Sequence, residues 1–297
     1  MGSTQAEVAV SYDVDNEFFR LWLDERMNYT CALFDDADLG KPAPDGVRPP
    51  GNLEQAQINK LAWHHDHARL APDKSVLDIG CGWGANMEYQ AIARNVGDVH
   101  GITLSPAQHA EITRRAIPNV TSHCVSYVDY VPDRKFDAII SICMMEHICS
   151  PEEARAGKAI DMYRDYFRRA WEWTKPGAYF SLQTILRNRV PRIKDDIRDV
   201  GWMTYTIFPG GITPRLEEII SAVNPYWEVV ECQTRRVHYQ RTCEHWRARL
   251  RDHKAVIEKK WSAQLFADYD RYLSTCIRAF DMHYQSLAQY QLRRIDA

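Results

Sequence analysis

Val76-Leu77-Asp78-Ile79-Gly80-Cys81-Gly82-Trp83-Gly84-Ala85 decides how the rest of the chain is read. Val76 to Ile79 is an apolar run of strand type that breaks into three alternating glycines, and an apolar-periodic, helix-like segment follows from Ala85 to about Arg94. Glycines at such a bend let the backbone pass close under a ligand and adopt φ angles that a side chain forbids. The following helix turns its free N–H groups toward that ligand. Asp78, at the strand's end, offers an acceptor for an amine or hydroxyl.

Two cofactors compete for this loop, beside the plainer reading of a glycine turn without a ligand. A dinucleotide fold shows G-x-G-x-x-G and an acid about twenty positions on, at the end of the next strand. Here the spacing is G-x-G-x-G, and the next strand, Val99 to Thr103, runs into Leu104-Ser105 with no acid; Asp98 stands at its wrong end. The loop instead resembles motif I of the S-adenosylmethionine (SAM) methyltransferases.

The 297 residues are 45% hydrophobic and 26% charged with a net charge of −3, the balance of an ordinary globular chain with no electrostatic case for nucleic acid. Lys and Arg cluster between Arg247 and Lys260, but Glu and Asp interleave there, as on a solvated helix face. The eight cysteines show neither a Cys-x-x-Cys pair nor metal-ligand spacing, so the reading is reduced thiols and no metal. Met1 to Val10 lacks the basic and apolar regions of a leader peptide, and no apolar run approaches the roughly eighteen residues of a membrane span. A cytoplasmic protein is expected.

Tyr12 to Asp24 carries its apolar residues on one helical face, with Asp13 and Asp15 as caps, and Leu53 to Leu70 reads as a second helix beyond an irregular proline-rich loop, Gly40 to Gly51. After the glycine loop come strand Val99–Thr103, helix Ala107–Ala116, strands Val120–Ser126 and Phe136–Ile142, helix Pro151–Thr174 and strand Tyr179–Ile185. This alternation predicts an α/β, Rossmann-like class I methyltransferase fold, a mostly parallel sheet with helices on both faces. Ligands then bind at the strands' C-terminal ends, where Asp78, Thr103, Tyr127, Ile142 and Gln183 converge. Arg187 to Pro214 breaks the pattern and reads as an inserted pocket cover bearing Trp202, Tyr205 and Phe208. Trp227–Thr234 reads as a strand, and Thr242–Lys260 and Trp261–Tyr290 as helices. The stripe Trp261, Leu265, Tyr269, Tyr272, Cys276, Phe280, Tyr284 reads chiefly as core. The expected organisation is one methyltransferase domain over 1–297: a helical segment 1–70, a SAM-binding core 71–186, and the cover, last strands and C-terminal helices 187–297.

Several stretches agree with one family. Tyr12-Asp13-Val14-Asp15-Asn16-Glu17-Phe18-Phe19, Tyr29-Thr30-Cys31-Ala32-Leu33-Phe34, Leu53 to Lys60, Gly101 to Gln108, Ile142 to His147, Ile207-Phe208-Pro209-Gly210-Gly211 and His238-Tyr239, with the glycine loop, resemble the cyclopropane fatty acid and mycolic acid cyclopropane synthases. The resemblance runs in order from Tyr12 nearly to the C-terminus. It implies methyl transfer from SAM to a carbon–carbon double bond of a hydrophobic small molecule, an acyl chain or an isoprenoid-bearing metabolite, through a carbocation. The product is then methylated, cyclised or cyclopropanated.

Such chemistry needs an aligned alkene, a dry pocket that tolerates positive charge, and a nearby base. Aromatic faces supply the second, at roughly 0.5–2 kcal/mol each. The expected SAM ligands are Tyr29, Thr30, Asp78, Gly80, Gly82, Thr103, Leu104, Gln108, Tyr127 and Ile142. The resemblance puts Cys31, Glu146 and Tyr239 where the family holds bicarbonate, its proposed base, and Gln183 where the lipid synthases have histidine. Gln183 cannot accept a proton near neutral pH. Bicarbonate is therefore a conditional second ligand, with direct proton removal by Glu146 the competing route. Of the family's adenine-contacting aromatic–acid pair only Tyr127 is matched, and Val10-Ser11 replaces its histidine-containing lead-in. Alternatives are an N-methyltransferase of a hydrophobic amine, whose proton Glu146 would take, and a SAM-binding protein without catalysis. A homo-oligomer is compatible with all three.

Overall fold

The computed structural model describes residues 4, 7, 14–44 and 46–296. Val10-Ser11, Tyr12 and the expected cap Asp13 lie outside them. Among the described residues seven strands, β1 (Ser75–Ile79), β2 (Asp98–Thr103), β3 (Val120–Cys124), β4 (Phe136–Ile142), β5 (Thr174–Arg187), β6 (Trp227–Thr234) and β7 (Gln285–Arg294), form one sheet. Their order is β3-β2-β1-β4-β5-β7-β6. β1 to β5 pair in parallel, whereas β7 runs antiparallel between β5 and β6.

Two helices precede the sheet, α1 (Asn16–Arg20) and α2 (Leu53–His67). The crossovers between β1 and β5 hold α3 (Ala85–Glu88), α4 (Pro106–Arg115), α5 (Pro151–Arg155) and α6 (Ala159–Glu172). Next come α7 (Lys194–Thr206) and α8 (Leu216–Val223) before β6, then α9 (Arg236–Asp252), α10 (Lys254–Lys260) and α11 (Ala263–Asp281) before β7. Local chemistry sets the starts. Asn52 accepts from Glu54 N and Gln55 N, Ser105 caps α4 with Pro106 in its first turn, and Ser150 and Glu153 close a capping box on α5. Each such cap is worth about 1 kcal/mol.

Apolar side chains cover both faces of the sheet. Tyr163, Phe167 and Ala170 of α6 and Ile219 of α8 pack with Ile139, Phe180 and Leu182. Met87 and Ile112 pack with Val76, Val99 and Ile140. A further cluster, Phe18, Phe19 and Trp22 with Trp246, Tyr269 and Phe280, joins the N-terminal segment to α9 and α11. A fully buried aromatic or aliphatic side chain contributes roughly 1.5–3 kcal/mol, so this cluster ties α1 firmly to α9 and α11.

Several expected boundaries change. Trp261–Tyr290 is not one helix: α11 stops at Asp281, His283 takes φ +58, and the chain re-enters the sheet as β7. Pro151–Thr174 is two helices separated at Gly157, whose φ is +75. Of Tyr12–Asp24 only Asn16–Arg20 is helical among described residues, capped by Asp15. The Thr242–Lys260 helix begins earlier, at Arg236, and breaks at His253. The segment Ala85 to Arg94 starts as α3 and continues as a π turn, Tyr89–Ala93. The cover Arg187–Pro214 contains α7.

Candidate active site

The C-terminal ends of β1, β2 and β4 open into one cavity of about 1750 Å³, walled by the Tyr29 segment, α7, α9 and α11. Ligand pockets usually span about 300–1,000 Å³, so it has room for a nucleotide-sized cofactor and a second molecule.

The glycine loop forms the floor. Gly80, Gly82 and Gly84 have φ of +82, +54 and +79, left-handed angles costly for residues with a Cβ. A Cβ on Gly82 would meet no protein atom within 4 Å, so the loop faces open cavity there. A Cβ on Gly101 would lie 2.4 Å from Met87 Sδ, which explains why β2 runs so close under the loop. Asp78 is buried, and its Oδ2 accepts from Asn86 Nδ2 at 2.9 Å. Burial raises its pKa to about 6. Thr103 Oγ1 donates to Gln108 Oε1 at 2.7 Å. Tyr127 stands edge-on to Tyr166, ring centres 5.4 Å apart. Tyr29 is set among Phe19, Trp22 and Trp246. All ten expected cofactor residues, Tyr29, Thr30, Asp78, Gly80, Gly82, Thr103, Leu104, Gln108, Tyr127 and Ile142, line this one cavity.

Glu146 follows β4 in the turn Met145–His147. Its Oε1 accepts from Ile185 N–H at 2.6 Å. Its Oε2 is buried without a hydrogen-bond partner, and Glu146 lines the cavity. Burial raises its pKa to about 7, against the pull of the Ile185 N–H. Tyr239, on α9, lines the same cavity, its ring 4.8 Å from that of Phe280. Burial pushes its phenol well above the usual value.

Cys31 and Gln183 are not among the cavity's lining residues. Cys31 Sγ is fully buried and donates to Ala32 O at 3.3 Å. Gln183 lies in β5 on the face of Ser181, toward α2. Its Oε1 accepts from Gln289 Nε2 at 2.8 Å, and its Nε2 donates to Cys143 Sγ at 3.5 Å. Of the expected cover aromatics, Tyr205 and Phe208 line the cavity, while Trp202 stacks under Arg271 with the guanidinium 4.1 Å from its ring centre. The C-terminal stripe serves both readings: Tyr272, Cys276 and Phe280 are buried core and also cavity wall.

The sequence reading passed over Lys60, which lines the cavity while 1% exposed. A signal existed: on α2 the buried face runs Leu53, Ala56, Gln57, Lys60, Leu61, His64, so Lys60 is a charge on the inward stripe. Among the described residues no group of three or more His, Cys, Asp or Glu could hold a metal, and no helix is long and apolar enough to cross a membrane.

The three glycines, the buried acid at the end of β1 and the seven-stranded sheet with its antiparallel β7 define a class I SAM-dependent methyltransferase. The residues fit that cofactor: the cradle is open where a Cβ on Gly82 would project, and the buried Asp78 faces it. The chain belongs to the mycolic acid cyclopropane synthetase family, whose model matches residues 2–290. Methoxy mycolic acid synthase MmaA3 of Mycobacterium tuberculosis is 28% identical over 97% of this chain and 94% of its own. The solved cyclopropane synthase MmaA2 from Mycobacterium tuberculosis superposes with a TM-score of 0.85 at 27% identity, covering 99% of both chains. Mycolic acid cyclopropane synthase CmaA1, solved with SAH and CTAB, gives 0.84 at 26% identity over 99% of both chains.

Proposed function

We propose that this protein transfers a methyl group from SAM to a carbon–carbon double bond of a hydrophobic small molecule, an acyl chain or an isoprenoid-bearing metabolite. We further propose that Glu146 removes the proton directly. The observation that carries this reading is Glu146 Oε2: a buried, unpartnered carboxylate oxygen on the wall of an otherwise largely apolar cavity. When bound, SAM supplies the electrophilic methyl group.

The chain's own residues do the rest. Phe208, Tyr239, Tyr272 and Phe280 line the substrate side and exclude water. Their ring faces stabilise the positive charge that methylation leaves on the substrate. Tyr239 keeps its proton, so it neither competes as a base nor adds a second negative charge. Glu146 takes a proton either from the transferred methyl group, whose C–H pair then closes a cyclopropane onto the cationic carbon, or from a carbon next to the cationic one, whose pair forms a new double bond. With a pKa of about 7, it is ionised in a useful fraction at neutral pH and still basic enough to accept.

The donor set does not fit bicarbonate. Cys31 is turned into the core, Gln183 is held by Gln289 and Cys143, and an anion would sit beside the Glu146 carboxylate. Incubation with SAM and lipids bearing cis double bonds, followed by mass spectrometry, tests the reading. A gain of one CH2 that disappears in Glu146→Gln supports it. Methylation of a hydrophobic amine with no reaction at any alkene refutes it.

A further inference from the structure

Lys60 is a buried ammonium that the proposed chemistry does not use. It projects from α2 into the wall of the cavity, and its Nζ donates to Asn28 Oδ1 at 2.8 Å and to Thr30 Oγ1 at 3.0 Å. Both acceptors are uncharged. An ammonium carries three donors, so one remains beyond these two. A cation this deep is costly unless something negative meets it. Burial draws its pKa down to about 8, while Asp24, Cys143, Cys31 and Asp78 around it pull the other way. Asp24, itself buried, is already committed to Asn28, accepting from its backbone N–H at 2.7 Å and its side-chain amide at 2.8 Å.

The other charged group on this side of the cavity is Asp78, and Lys60 is the cation whose charge reaches it. Anion and cation thus share the wall beside the glycine loop, with Tyr29 and Thr30 adjoining. Opposite charges on one wall suit an α-amino acid zwitterion, which needs an acceptor for its ammonium and a donor for its carboxylate. The methionine end of SAM is such a zwitterion. The remaining basic side chains on the wall include Arg155 in α5, Lys158 just before α6, Arg187 at the end of β5 and Arg189 beyond it.

We propose that Lys60 binds the α-carboxylate of the cofactor's methionine end, opposite Asp78, which binds its α-ammonium. This rests on the cofactor placement described above and deepens it. Lys60 also holds Asn28 and Thr30, so binding of ligands with and without the carboxylate separates its anchoring role from its support of that segment.

The test is calorimetric titration of the full chain with S-adenosylhomocysteine and with its decarboxylated analogue, for the wild type, Lys60→Met and Lys60→Gln. Methionine fills the aliphatic volume, and glutamine keeps a neutral donor for Asn28 or Thr30 should the methionine variant fail to fold. Loss of a charge-assisted hydrogen bond predicts roughly ten- to hundredfold weaker binding of S-adenosylhomocysteine in either variant, with the decarboxylated analogue bound as in the wild type. The wild type itself should lose a similar factor on decarboxylation. Equal weakening of both ligands would overturn the proposal and leave Lys60 as a prop for the Asn28–Thr30 segment. Failure of the wild type to bind S-adenosylhomocysteine at all would overturn the cofactor placement, and the proposal with it.

Discussion

Replacing Glu146 with glutamine should destroy the enzyme and strengthen the protein. Burial raises the carboxyl's pKa from 4.5 to about 7, so the folded state binds this proton more tightly than the unfolded chain does. Stability therefore falls as pH rises between these two values: no cost below the unfolded pKa, the full cost above the folded one. At 1.36 kcal/mol per tenfold change in proton affinity, holding the charge costs about 3 kcal/mol above pH 7. Glutamine keeps an oxygen for the Ile185 N–H and carries no charge. Glu146→Gln should then raise Tm at pH 8 by about 6 °C, at roughly 2 °C per kcal/mol for a chain of this size. At pH 5 the gain should shrink to about 1 kcal/mol or less. Turnover should drop about a hundredfold or more, the scale of general base catalysis, and the wild-type rate should climb with pH up to about 7 and then level. Scanning calorimetry at the two pH values and single-turnover kinetics read both quantities. A variant no more stable than wild type at pH 8, with its activity kept, would refute the assignment of Glu146.

Gly82→Val should abolish binding of S-adenosylhomocysteine at a stability cost of about 1–2 kcal/mol, because the added atoms enter open cavity and not protein while the φ of +54 strains a residue with a Cβ; unchanged calorimetric affinity would contradict the cradle. Affinity for S-adenosylhomocysteine should rise with pH through about 6 as Asp78 ionises and fall above about 8 as Lys60 loses its proton; a flat profile between pH 5 and 9 would count against both contacts. Depleting bicarbonate should leave the rate unchanged, and Gln183→His should cost about 1–3 kcal/mol in denaturant unfolding by stranding Gln289. A bicarbonate-dependent rate would return Cys31 and Gln183 to the site.

The part of the fold that positions the cofactor was legible because backbone geometry writes it into composition. Only glycine suits the turns after β1, and the β-α-β alternation places Thr103, Tyr127 and Ile142 at the same edge of the sheet. β7 was not legible. Ser286 to Leu292 alternates, yet both of its faces are buried, so Gln289 and Gln291 mark interior hydrogen bonds and not solvent. The helical stripe of α11 also extends in sequence to Tyr284 and masks the break at His283. Cys31 and Gln183 show a different limit. A motif fixes where a residue lies along the chain, but the neighbours fix where its side chain turns. The glutamine's amide found Gln289 across the sheet.

The position of β7 also governs how the molecule is made. β7 lies between β5 and β6 and pairs with both, so the facing edges of those two strands stay unpaired until β7 arrives. Yet β7 follows every other strand in the chain, and α9, α10 and α11 separate it from β6. During synthesis β1 to β5 can assemble as they leave the ribosome, while β6 waits without a partner through three helices. In that interval two open strand edges are exposed together, which is the condition under which chains pair with one another. Completion of the sheet thus waits for the strand that follows α9 and α11, the two helices that wall the pocket.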